Sequence, residues 1–176
     1  MKSDGLKGFR IFISSIIVTV LLASSGCVGY QLGSMLPPDI ETVYVPTIIN
    51  NTDEPLLEVE ATRAVIQQIQ RDGSLRIANE EEADTVLRVT LTDFRLNPVA
   101  FDRERRAAAN EYRMIITADI LMTRRGTDEV IVDYPGVWGR ADFVLVGDLT
   151  TSKQTVIPRA SEDLAGQIVD RMVETW

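Results

Sequence analysis

The sequence predicts an α+β domain, an antiparallel or mixed sheet of about four strands with two amphipathic helices packed on one face. Three observations carry that reading. Leu57, Ala61, Ala64, Val65 and Ile69 share one face at helical spacing. Residues 85–96 and 112–122 alternate apolar and polar side chains, as half-buried strands do. From about Ile157 to the end, Ala160, Leu164, Ile168, Met172 and Trp176 recur every four residues, flanked by Ala165, Val169 and Val173. Two helices with one apolar face each, and strands apolar on one side, are satisfied together when both helices cover the same sheet face.

Taken in order, the elements begin with Thr42-Val-Tyr-Val45, a strand that Pro46 ends or places on an edge. Asn50-Asn-Thr-Asp53 is a turn and cap cluster, and Pro55 suits a first helical turn. Glu54, Glu58 and Glu60 then lie near the positive end of the helix dipole. The helix runs to about Arg71, where Asp72-Gly73 stops it, and Leu75-Arg-Ile77 reads as a short strand. Glu80-Glu-Glu82 is a solvated loop. In the next strand Leu87, Val89 and Leu91 share a face, whereas Phe94 and Leu96 change parity, which predicts a bulge near Thr92-Asp93. Met114, Ile116, Ala118, Ile120 and Met122 form the apolar face of the following strand, with Arg113, Thr117 and Asp119 opposite. Arg124-Arg-Gly126-Thr-Asp128 makes a hairpin turn into Val130–Tyr134. Asp142 to Val146 reads equally as a strand or as a packed loop.

Residues 1–26 have the parts of a signal peptide. Lys2, Lys7 and Arg10 precede an apolar run from Ile11 to Ala23, and small Ser24, Ser25 and Gly26 lead to Cys27, the only cysteine. The run falls short of the ~20 residues that a spanning helix needs. Small residues before a cysteine resemble the bacterial lipobox, with Ser24 where that pattern prefers an aliphatic residue. Cys27 is therefore expected to carry lipid, palmitate among the acyl chains, which anchors the chain to a membrane. Ordinary cleavage near Ser25 or Gly26, leaving a free thiol, is the alternative. Val28, where an aspartate would signal inner-membrane retention, favours the outer membrane. Residues 27–41 read as lipidated N-terminus and tether, and residues 42–176 as a single domain.

Composition excludes several classes. The 176-residue chain has no histidine and a net charge of −8. Removing the leader, whose three basic residues outweigh Asp4, leaves about −10. Such a chain repels nucleic acid. Without histidine or a second cysteine there is no Ser-His-Asp or Cys-His system, no HExxH zinc site and no Cys/His metal cluster. The carboxylate groups that could be offered for acid–base work, Glu80 to Glu82, Asp102 with Glu104, and Asp128 with Glu129, sit in predicted loops, where solvated surface charge is the plainer reading, and the adjoining Ser152 and Lys153 lack any motif around them. The expectation is no enzyme, no metal and no cofactor.

Several short motifs recur in a fixed order. Cys27-Val-Gly-Tyr30 is followed by Val43-Tyr-Val-Pro46, then by Asn51-Thr52 before a helix containing Glu58 and Thr62. That helix runs into Asp72-Gly-Ser-Leu-Arg76. Ala83-Asp84 opens the next strand and Pro98-Val-Ala-Phe-Asp102 ends it. In this combination the chain resembles the LptE family of lipopolysaccharide-assembly lipoproteins over most of its mature length, apart from Tyr134 to Pro158. The resemblance implies an outer-membrane lipoprotein that plugs the lumen of the β-barrel LptD, assists its assembly and helps deliver lipopolysaccharide to the surface. It also implies contact with lipopolysaccharide phosphates, which call for guanidinium groups. By charge and placement, Arg103, Arg105 and Arg106 after Phe101, and Arg124 and Arg125 in the turn, are the candidates; the plainer reading is solvated turn residues or ion-pair partners. Two other classes share a lipidated cysteine and a small domain: a tethered adaptor of another envelope machine, such as a peptidoglycan-synthase activator or secretion-pore component, and a lipid carrier with an internal cavity.

Overall fold

The computed structural model describes residues 36–101 and 109–174. Cys27, Arg103, Arg105 and Arg106 lie outside the described residues. In chain order the elements are β1 (Thr42–Tyr44), β2 (Ile49–Asn50), α1 (Leu57–Asp72), β3 (Arg76–Ile77), β4 (Thr85–Phe101), β5 (Ala109–Arg124), β6 (Val130–Val144) and α2 (Leu149–Glu174).

Alternation decides the sheet. β4 and β5 pair antiparallel along nearly their whole length, with Leu87 opposite Met122 and Leu96 opposite Met114. The register shifts between Leu91 and Asp93, so the parity change in the sequence is a bulge that keeps Phe94 and Leu96 on the apolar face. β6 continues the antiparallel order, β1 joins β4 in parallel, and β3 joins β1; β2 pairs with β4. The strand order β3-β1-β4-β5-β6 makes a mixed sheet of six strands, against the expected four or so. β2 spans two residues, too short to leave a periodic signature, and β3 is the short strand read at Leu75-Arg-Ile77.

Two further differences have local causes. Val130–Tyr134 does not end at Pro135-Gly136. Gly136 takes φ 72°, its N–H donates to Asp119 Oδ1 at 2.9 Å, and β6 resumes as far as Val144. Asp142 to Val144 is thus strand. The second helix begins at Leu149, well before Ile157. Asp148 accepts from the Thr151 N–H and Oγ1 at 2.9 and 2.8 Å, an N-cap built from residues with no apolar period. Pro158 lies inside the helix, where its missing N–H leaves one carbonyl a turn earlier without its helical donor.

Helix α1 buries Leu57, Ala61, Ala64, Val65 and Ile69, the face read from the sequence. Its C-terminus closes through Gly73 at φ 78°, whose N–H donates to the Ile69 carbonyl. Both helices and the odd-numbered apolar residues of β4 up to Leu91, with the even-numbered ones of β5, form one core cluster. Each large aliphatic side chain buried there contributes about 1.5–3 kcal/mol. Leu36 and Ile40, within the stretch read as tether, are buried in the same cluster. Helix α2 packs tightly against the sheet at Gly139: a methyl group there would lie 2.2 Å from the Leu164 nitrogen. Among the described residues no helix lies over the opposite sheet face.

Candidate functional site

The turn between β5 and β6 carries the two described candidate arginines. Gly126 at φ 84° and Asp128 at φ 54° let the chain reverse, and the Arg124 N–H donates to the Glu129 carbonyl at 2.8 Å. The Arg124 guanidinium donates through Nε to Glu129 at 2.8 Å and through Nη1 to Asp39 at 2.5 Å. Hydrogen bonds to Glu129 and then to Asp39 raise its pKa above the ordinary value. Arg124 is therefore a clasp that ties the turn to the segment preceding β1. Arg125 is anchored differently: its Nε donates to the Ala83 carbonyl at 2.6 Å and its backbone N–H to that of Asp84 at 2.9 Å. The Ala83 bond uses one of five guanidinium donors and leaves an exposed side chain facing solvent.

Asp84 is held beneath Arg125. Its Oδ2 accepts from Thr42 Oγ1 at 2.7 Å and from the N–H groups of Thr42 and Glu41 at 3.0 and 3.1 Å. These bonds, that of the Thr42 hydroxyl foremost, hold its carboxyl below the usual range against the opposing effect of desolvation.

The uncovered sheet face carries charged residues that the sequence reading did not single out as a site. Arg113 on β5 makes a bidentate pair with Asp142 on β6, both contacts at 2.7 Å. The pair raises the Arg113 pKa and lowers that of Asp142, in each case first through the hydrogen bond between them. Arg95 pairs with Asp93 at 2.7 Å, and the Arg140 guanidinium lies 5.7 Å from the ring centre of Trp138, which is 50% exposed. The only sequence signal for this face is the polar phase of the alternating strands; cross-strand register supplies the partners.

The adjoining Ser152 and Lys153 are engaged apart from each other. Ser152 Oγ accepts from the Val146 N–H and donates to its carbonyl, both at 3.0 Å. Lys153 Nζ donates to Glu54 at 2.6 Å and sits 5.9 Å from the Phe94 ring centre. Among the described residues no group of three His, Cys, Asp or Glu side chains is placed to hold a metal ion, and no helix is long and apolar enough to cross a membrane.

Solved structures share the fold. A protein from Xanthomonas campestris matches with a TM-score of 0.56 at 8% identity, over 80% of this chain and 88% of that one. A minor lipoprotein from Acinetobacter baumannii matches at 0.52 and 12% identity, over 77% and 94%. An uncharacterized lipoprotein B from Nitrosomonas europaea matches at 0.51 and 10%, over 80% and 85%. No curated protein matches in sequence. The profile of the family described as LptE, lipopolysaccharide-assembly, matches residues 40–172, from the segment before β1 almost to the end of α2. The chain belongs to the LptE lipopolysaccharide-assembly family.

Proposed function

We propose that this chain is an outer-membrane lipoprotein, held to the bilayer through acyl chains on Cys27, that plugs and helps assemble an LptD-type β-barrel for lipopolysaccharide insertion at the cell surface. The family match over residues 40–172 carries the reading. The surface is consistent with it. A body seated in a polar barrel lumen needs a polar exterior, and the uncovered sheet face is laced with Arg–Asp pairs. With its core covered by two helices and its turn clasped by Arg124, the domain acts by shape and surface charge. Of the two described candidate arginines, Arg125 has the exposure and the remaining donors that better suit a lipopolysaccharide phosphate.

Affinity purification of the full-length, membrane-extracted protein from its native cells tests the partner. A near-equimolar LptD-type barrel is the expected companion. Recovery of a peptidoglycan synthase or a secretion component with no barrel would overturn the assignment. Replacing Arg124 and Arg125 by alanine tests the phosphate contact separately, and unchanged lipopolysaccharide binding would remove that pair from the site.

A further inference from the structure

β4 pairs with β5 along one side, but its other side is only partly taken. β1 covers that side at Thr85 and Val86, and β2 at Thr90 and Leu91, where the Leu91 carbonyl accepts the Asn51 N–H at 3.0 Å. Beyond Leu91 no strand follows there among the described residues. The neighbouring ladder fixes where each backbone group points. The Asn110 carbonyl accepts the Leu145 N–H, so Asn110 and the even-numbered residues of β5 up to Ala118 face β6. Phe94, Leu96 and Pro98 stand opposite Ile116, Met114 and Tyr112, so their own N–H and C=O groups point away from β5. Leu91, opposite Ala118, shows the same direction through its bond to Asn51. Pro98 agrees as well, since at an outward position its missing N–H breaks no ladder bond.

Among the described residues the outward N–H and C=O groups of Phe94 and Leu96, and the Pro98 carbonyl, have no hydrogen-bond partner. The β6 edge is different: Asp163 accepts the Arg140 N–H at 2.8 Å, and Ser152 bonds both backbone groups of Val146. On β4 the bulges between Leu91 and Asp93 and between Pro98 and Ala100 bound the open stretch without interrupting it. Phe94 and Leu96 are half-buried against the core and, with Pro98, make an apolar row on the helix side. Asp93, Arg95 and Asn97 line the other face, where Asp93 and Arg95 pair with each other. A run of free donors and acceptors at strand spacing is matched only by another extended backbone.

We propose that the β4 edge from Phe94 to Pro98 receives an extended strand of a different polypeptide, antiparallel to β4 and alternating apolar with polar residues. Antiparallel pairing is the more stable per residue. In it, the residues opposite Phe94, Leu96 and Pro98 turn their backbone groups to β4 and their side chains to the apolar row. Those residues are apolar, and the ones between them, beside Arg95 and Asn97 on the solvent face, are polar. A second copy of this edge fits poorly. Twofold pairing centred on Leu96 sets Pro98, without an N–H, against Phe94 at both ends. Centred on Arg95, it sets two guanidinium groups opposite each other. The proposal does not depend on the barrel assignment.

The test uses the full-length chain in lipid nanodiscs and a fluorescein-labelled heptapeptide in which threonine and valine alternate, with binding read by fluorescence anisotropy. Two analogues carry N-methyl groups, one on its valines and the other on its threonines. Antiparallel pairing turns the valine N–H groups to β4, so methylated valines should weaken binding at least roughly tenfold, and methylated threonines by less than about twofold. Leu96→Pro removes an outward N–H that β5 does not use, whereas Leu96→Ala trims the same side chain and keeps that N–H. The proline variant should bind the peptide roughly tenfold more weakly than the alanine variant. Should Leu96→Pro fail to fold, the methylated peptides decide the matter on the parent chain. No binding of the unmethylated peptide, equal binding of the valine-methylated one, or equal binding by two folded variants would overturn the proposal. Sensitivity confined to the threonines would overturn the antiparallel direction. A dimer of the chain alone that Leu96→Pro dissociates and Leu96→Ala keeps would replace the partner with a second copy.

Discussion

Replacing Gly139 by alanine puts a methyl group 2.2 Å from the Leu164 nitrogen, 2.5 Å from its Cα and 2.6 Å from its Cβ. Two of those atoms are backbone of α2, so no rotamer change relieves the clash; the helix itself must lift by about 1 Å to reach ordinary contact distance. Lifting it separates fully buried Leu164 and Ile168 from the sheet. Overpacking of this kind costs about 1–3 kcal/mol, and in a domain of this size each kcal/mol lowers Tm by about 2–4 °C, so a fall of roughly 2–12 °C is expected. Gly166 provides the control on the same helix. A methyl group there meets nothing within 4 Å, and glycine to alanine inside a helix stabilises by roughly 0.5–1 kcal/mol. Urea and thermal unfolding of Gly139→Ala and Gly166→Ala should therefore move in opposite directions. Equal stability of Gly139→Ala and the parent would refute the close approach of α2 to β6.

Ser161 is fully buried and its hydroxyl meets no hydrogen-bond partner among the described residues, so Ser161→Ala should raise the urea midpoint by the equivalent of about 1 kcal/mol; a fall would show that the hydroxyl is satisfied in solution. Lys153→Met strands the Glu54 carboxylate, whose side chain is 10% exposed, and should cost about 1–3 kcal/mol. Combining it with Glu54→Gln should recover part of that loss in a double-mutant cycle, and strict additivity would refute the coupling. Asp84 has a folded pKa below its unfolded value, so its contribution to stability is complete above about pH 4–5 and is lost as pH falls through the folded pKa. Asp84→Asn should flatten the stability curve in that acid window, and an unchanged acid slope would contradict the Thr42 and Glu41 bonds.

Periodicity alone determined much of this molecule. The buried face of α1, the apolar phases of β4 and β5, the bulge beside Thr92-Asp93 and the turn at Gly126 are local patterns. Each follows from 3.6-residue or two-residue repeats and from the few residues that tolerate a left-handed backbone. The order of short motifs also pointed to the family that the match over residues 40–172 then showed.

What the sequence could not express is which distant segments meet. Asp39 lies 85 residues from the arginine it binds, and Glu54 lies 99 from Lys153. The pairing of Arg113 with Asp142 needs the register between β5 and β6, and a shift of one residue would turn those side chains to opposite faces. The continuation of β6 through Pro135-Gly136 depends on Asp119 of the neighbouring strand, and the placing of α2 depends on the space left by Gly139. Local chemistry specifies each element's period and ends, whereas register and close packing depend on contacts between residues far apart in the chain, and these the tertiary structure alone decided.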